Sequence, residues 1–120
     1  MVRYERFGLG ETWNDEYGSA TKPEELEWLL SYSPYHHVVE GTDYPAVLFT
    51  VFDGDSRVDP LHARKLCAAL QWATSGERPI LLRRERDVGH GARSVTRSID
   101  LTVDGLTFEA SRLGLAWPAS

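Results

Sequence analysis

An α/β fold built on parallel strands is the architecture this sequence predicts, and three observations predict it. An apolar run at 46–52 has the β-branched and aromatic content of a strand, and Ile80, Leu81 and Leu82 open a second strand that runs to about Val88. Between them apolar residues recur at helical spacing, and strand, crossover helix, strand is the signature of a parallel sheet with helices on its faces. Helical spacing also precedes the first run and follows the second, so the predicted order is α-β-α-β-α. At 120 residues the chain has the length of one domain and no internal repeat.

Each element can be justified in turn. Residues 5–20 mix Gly, Asn, Asp and aromatics without periodicity and read as a loop carrying exposed side chains. A helix is predicted over 22–32. Thr21 with Glu24 fits a capping box, Pro23 suits a first turn, and Leu26, Leu29 and Leu30 share a face until Pro34 forbids continuation. Residues 35–44 read as a polar connection, and the run 46–52 as a strand apolar on both faces. Asp53, Gly54, Asp55 and Ser56 supply turn chemistry. Asp59 and Pro60 then form an N-cap and first helical position for a helix over 60–75, with Ala63, Leu66, Cys67, Leu70 and Ala73 on one face and Gly76 as its stop. The second strand, 80–88, leads to Gly89, His90 and Gly91. A last helix over 94–113 carries Val95, Ile99, Val103, Leu106, Ala110 and Leu113 at helical spacing, with Gly114 beyond it. Two strands that read as buried on both faces are too few for a sheet of their own, so the chain is expected to be part of a larger sheet.

Composition narrows the function classes. Hydrophobic residues at 42% and charged residues at 26% are globular values. A net charge of −5 is a poor match for phosphate backbones, so nucleic acid is not expected as a partner. The one dense basic run, Arg83 to Arg86, is broken by Glu85 and reads as a solvated or edge-facing stretch. No segment reaches the roughly 18 apolar residues of a membrane helix, and the first residues lack a signal peptide's apolar core, so no membrane partner and a cytoplasmic location are expected. The single cysteine, Cys67, falls on an apolar helical face and reads as a buried, inert thiol. His36, His37 and His62 with Asp53 do not have the spacing of a metal site, and no metal or other cofactor is expected.

The chemistry concentrates at two strand ends, where open α/β sheets gather ligands. Asp53 and Asp55 follow the first strand. His90 follows the second, with a glycine on each side giving its imidazole room to project. A carboxylate that accepts from one ring nitrogen fixes the histidine tautomer and leaves the other nitrogen free to take a proton from a nucleophile. Asp in a turn and His between glycines also arise as caps and loop formers, and the spacing alone leaves both readings open.

Five stretches in order tip that balance: FGLGETWNDEYG at 7–18, YSPYHHV at 32–38, YPAVL at 44–48, DGDSRVDPLH at 53–62 and GHGA at 89–92. From about Arg6 to Leu115 the chain resembles the C-terminal end of the prolyl oligopeptidase family of serine peptidases. The resemblance implies the C-terminal part of an α/β-hydrolase fold, with Asp55 as catalytic acid and His90 as catalytic base. It also implies that Arg57 hydrogen-bonds a substrate carbonyl, that Trp13 stacks on the substrate proline ring, and that Tyr17 and Val58 wall the same pocket. The residue types suit those roles, since an indole is a broad apolar platform and Arg offers a fork of permanent donors. Ser56 stands where the family more often has a second Asp, which leaves Asp53 as a rival acid. Asp55 keeps the spacing to Arg57 and Pro60. Plainer roles stay open as well: Trp13 and Tyr17 as loop aromatics packed on a neighbouring core, Arg57 as a surface ion pair.

The family's nucleophile is a serine in a glycine-rich elbow, and no G-x-S-x-G occurs here; GDSRV at 54–58 lacks the final glycine. The 120 residues are therefore expected to be a C-terminal fragment of a peptidase catalytic domain, completed by upstream catalytic-domain and propeller segments. The expected activity is cleavage of short proline-containing peptides after proline, with the isolated chain inactive. The alternative is a truncated, non-catalytic module that binds such peptides or is vestigial.

Overall fold

A computed structural model describes residues 1–91 and 93–115. The α/β arrangement is borne out. In chain order come short 3-10 turns at Tyr4–Arg6 and Gly10–Trp13, a one-turn helix α1 (Asn14–Tyr17), helix α2 (Pro23–Ser31) and a 3-10 turn at Pro34–His37. Strand β1 (Val47–Gly54), helix α3 (Leu61–Ala73), strand β2 (Ile80–Gly89) and helix α4 (Val95–Leu113) follow. No described helix is long and apolar enough to cross a membrane.

The two strands pair in parallel, with Val47 opposite Ile80, Phe49 opposite Leu82 and Phe52 opposite Glu85. Alternation sends Val47, Phe49 and Val51 with Ile80, Leu82 and Arg84 to one face, and Leu48, Thr50 and Phe52 with Leu81, Arg83 and Glu85 to the other. Helix α3 covers the first face. Its Cys67 and Leu70 meet Ile80 in the core, with Val38, Tyr44, Val47, Phe49 and Leu66 packed around them. Burial pushes the Cys67 thiol up from its ordinary pKa, as an inert sulfhydryl in apolar surroundings requires. Helix α4 is tied to the second face by polar contacts: Arg83 pairs with Asp104 at 2.6 Å, and the Arg97 guanidinium donates to the Arg86 carbonyl at 2.7 Å.

Four expectations need correction. Residues 5–20 are not an open loop but a chain of short turns, because Tyr4 is buried beneath them and its hydroxyl donates to the Gly18 carbonyl at 2.7 Å. The capping box of Thr21 and Glu24 does not form. The Thr21 hydroxyl is held by the Ser19 hydroxyl at 2.8 Å, Lys22 stands at the N-cap, and Glu25 reaches back to accept from the Ser19 N–H at 2.6 Å. The strands are also not buried on both faces. Leu81 and Leu82 are exposed, as are Val95, Ile99, Val103, Leu106 and Leu113 of the α4 stripe, and of that helix only Ala110 is buried. The helical period of α4 is correct, but nothing in the described residues covers the stripe it generates. The basic run is mixed, for Glu85 is buried and Arg83 pairs with it at 3.2 Å while Arg84 and Arg86 are exposed.

Candidate active site

The site forms where the parallel ladder ends. Regular pairing runs to Phe52 opposite Glu85 and resumes at Gly54 opposite Gly89, so β1 advances two residues while β2 advances four. The bulge in β2 contains Asp87 at φ 57°, a left-handed conformation that Asp tolerates better than most residues. Beyond the Gly54–Gly89 pair, the next residue on one strand is Asp55 and on the other His90. The ladder thus delivers two side chains 35 positions apart to one edge.

Asp55 uses both oxygens. Its Oδ1 accepts from the Arg57 N–H at 2.9 Å and the Val58 N–H at 3.0 Å, closing the turn after β1. Its Oδ2 lies 2.9 Å from His90 Nδ1, with Oδ1 at 3.1 Å. Burial alone would push the Asp55 carboxyl up, but the hydrogen bonds it accepts from the Val58 N–H, the His90 ring and the Arg57 N–H hold it below the ordinary aspartate value. An ionised carboxylate only accepts, so it favours the His90 tautomer with the proton on Nδ1, and among the described residues Nε2 makes no hydrogen bond. The imidazole is 42% exposed and the carboxylate 10%, so the ring is open to solvent while the carboxylate that holds it is sheltered.

The rival acid is occupied elsewhere. Asp53 bridges Arg84 of β2 at 2.6 Å and Arg64 of α3 at 2.7 Å, and the hydrogen bond from Arg84 is the chief cause holding its carboxyl below the ordinary value. The other histidines are also engaged. His37 Nε2 lies 2.9 Å from the Ser31 carbonyl, His36 Nδ1 2.8 Å from the Ser33 hydroxyl, and His62 meets Phe7 edge to face at 5.6 Å. Among the described residues no three His, Cys, Asp or Glu side chains converge as metal ligands.

Trp13 and Tyr17 are exposed on the short-turn segment, their rings 6.1 Å apart and tilted by 34°. Tyr17 stands edge-on to buried Tyr4 at 6.0 Å. Arg57 and Val58 are exposed at the acid turn. The two segments touch where the Leu9 N–H points at the Arg57 carbonyl, 3.4 Å away. The structure therefore joins Asp55 to His90 by a hydrogen bond, and links the Trp13 segment to the Arg57 turn through the backbone. Sequence reading missed Tyr4, which shapes the Trp13 segment; its one signal was a lone large aromatic ahead of a run of turn formers. It also missed the buried Glu85, whose Oε1 has no partner among the described residues.

Residues 1–115 match the prolyl oligopeptidase family. The chain is 41% identical over 118 residues to prolyl oligopeptidase dbiP of Dendrothele bispora, covering 96% of this chain and 16% of that protein. It is 40% identical over 117 residues to the prolyl endopeptidase of Elizabethkingia meningoseptica, covering 96% and 17%. Among solved structures, a chain from a mechanistic study of two prolyl endopeptidases superposes with a TM-score of 0.93 at 46% identity, over 97% of this chain and 17% of its own. Prolyl oligopeptidase B of Galerina marginata, bound to a 35-residue hydrolysis and macrocyclization substrate, gives 0.90 at 31% identity, over 97% and 16%. The chain thus spans about a sixth of the length of these relatives. A match over nearly the whole sequence, with the same backbone course in solved relatives, leads to one conclusion: the chain belongs to the prolyl oligopeptidase family.

Proposed function

We propose that this chain supplies the acid and the base of a proline-specific serine peptidase whose nucleophile lies on polypeptide outside these 120 residues. The observation that carries the reading is the Asp55–His90 pair at the ends of two parallel strands, with Nδ1 facing the carboxylate and Nε2 open. In that role His90 Nε2 takes the proton as a serine Oγ–H bond breaks and the Oγ–carbon bond forms on the substrate carbonyl. The imidazolium stands against Asp55 and returns the proton to the leaving amine as the C–N bond breaks. Arg57 donates to a substrate carbonyl, and Trp13, Tyr17 and Val58 form the apolar wall for the proline ring. The match to about a sixth of each relative supports a nucleophile carried elsewhere, as does the absence of a G-x-S-x-G elbow from the sequence.

The test is turnover of a succinyl-Gly-Pro chromogenic substrate by the full-length gene product containing this sequence. His90→Ala should lower kcat by about 10⁴-fold with the melting transition intact, the size of loss seen when a triad member is removed. Wild-type turnover by that variant would reject the assignment. The 120-residue chain alone should show no turnover resistant to a serine-trap control.

A further inference from the structure

The acid turn is clamped from two sides, and one side depends on a residue with no side chain. Gly8 has φ +55°, in the left-handed region. A Cβ built there would lie 2.8 Å from the Arg57 carbonyl oxygen and 3.0 Å from that of Ser56. Both are backbone atoms, so they can give way only if the turn itself moves. The adjoining Leu9 N–H points at the same Arg57 carbonyl, while the Arg57 N–H is held by Asp55 Oδ1 at 2.9 Å. Residue 57 is therefore gripped through both of its peptide groups, which fixes the direction in which its side chain leaves the backbone. On the N-terminal side, Phe7 is seated on His62 and overlain by the Arg3 guanidinium at 5.8 Å from the ring centroid. On the other side the chain passes directly into the turn Gly10–Trp13.

We propose that Gly8 is a positioning residue for substrate binding: its bare backbone seats the Trp13 segment on the Ser56–Arg57 turn and so sets Arg57 relative to Trp13. This rests on the reading of Arg57 and Trp13 as substrate-binding residues. Asp55 and His90 each stand one residue beyond the Gly54–Gly89 pair of the ladder, whereas the atoms a Cβ at Gly8 would meet belong to residues 56 and 57. A disturbance at Gly8 should therefore reach binding before it reaches chemistry.

The experiment compares Gly8→Ala, Gly8→Asn and Gly41→Ala in the full-length gene product. Gly41 has φ +80° with nothing within 4 Å of a built Cβ, so its alanine variant measures the cost of a left-handed alanine without a contact. Asn tolerates left-handed backbone yet carries the Cβ, so it keeps the contact while lessening the strain. Both Gly8 variants should raise KM for the succinyl-Gly-Pro substrate about tenfold, the equivalent of one lost charge-assisted hydrogen bond, with kcat within about threefold of wild type. Gly41→Ala should lower the melting midpoint without moving KM. A Gly8→Asn enzyme with wild-type KM would overturn the proposal, as would equal KM changes in Gly8→Ala and Gly41→Ala. Combining Gly8→Ala with Arg57→Ala should add nothing to the KM of Arg57→Ala, and full additivity would count against the link. If the unmodified gene product fails to turn over the substrate, the peptidase reading itself falls and the inference falls with it.

Discussion

Asp55 accepts from two backbone N–H groups and faces the His90 ring with one carboxylate, so substitutions there separate two jobs. In Asp55→Asn the amide oxygen can keep the turn, but its NH₂ can only donate toward Nδ1. His90 must then carry its proton on Nε2, where the base needs a lone pair. In the full-length gene product kcat should fall by about 10⁴-fold with the melting midpoint nearly unchanged. Asp55→Ala should add a stability loss of about 1–2 kcal/mol from the two unpaired N–H groups. Parallel kinetics and melting curves check both, and an Asn variant with near wild-type turnover would refute the tautomer argument. At this scale the meeting of Asp55 and His90 was legible because turn chemistry and a glycine-flanked histidine each follow a strand-like run. Asp53 stayed an open rival, since its two arginine partners come from α3 and β2 and depend on register that no local pattern encodes.

At the scale of elements, the helices and strands were readable to within a few residues wherever apolar periodicity was strong. Their ends were read less evenly. Helix α3 starts one residue later than the Asp59–Pro60 pattern predicts, with Pro60 at the N-cap, and Asp59 Oδ1 caps it from one position earlier by accepting from the Leu61 N–H at 2.8 Å. Asp59→Ala should therefore cost about 1 kcal/mol in a denaturant melt, the usual worth of such a cap; an unchanged midpoint would show that the bond carries nothing. The start of α2 was misread because Ser19, outside the helix, competes for the Thr21 hydroxyl and hands its own N–H to Glu25. A capping-box pattern describes what two residues could do, and a third residue in a neighbouring turn decided otherwise. The bulge in β2 was not legible either, for it follows from how the two strand ends meet.

The whole molecule is a slab of 59 × 39 × 20 Å with a radius of gyration of 17.0 Å, against about 14 Å for a compact chain of this length. Its accessible surface is 8472 Å², whereas a folded monomer of 13.5 kDa exposes about 6,500 Å². The difference is the size of a substantial protein interface, and the open α4 stripe with Leu81 and Leu82 accounts for its apolar character. The 120-residue chain alone should accordingly self-associate in sedimentation and bind an apolar dye, with Ile99→Glu and Leu106→Glu reducing both; a cooperative monomeric melt would contradict this. The sequence made the stripe visible through its helical period, while its covering is a property of surfaces the period does not describe. The turn that holds Asp55 also bears on the order in which the site is assembled. Its bonds to residues 57 and 58 are local, so they can close as soon as those residues are synthesised. His90 is 35 positions later, about 2–7 s at ribosomal rates of roughly 5–20 residues per second. The Asp55 carboxylate can thus settle into its turn before its histidine partner has been made.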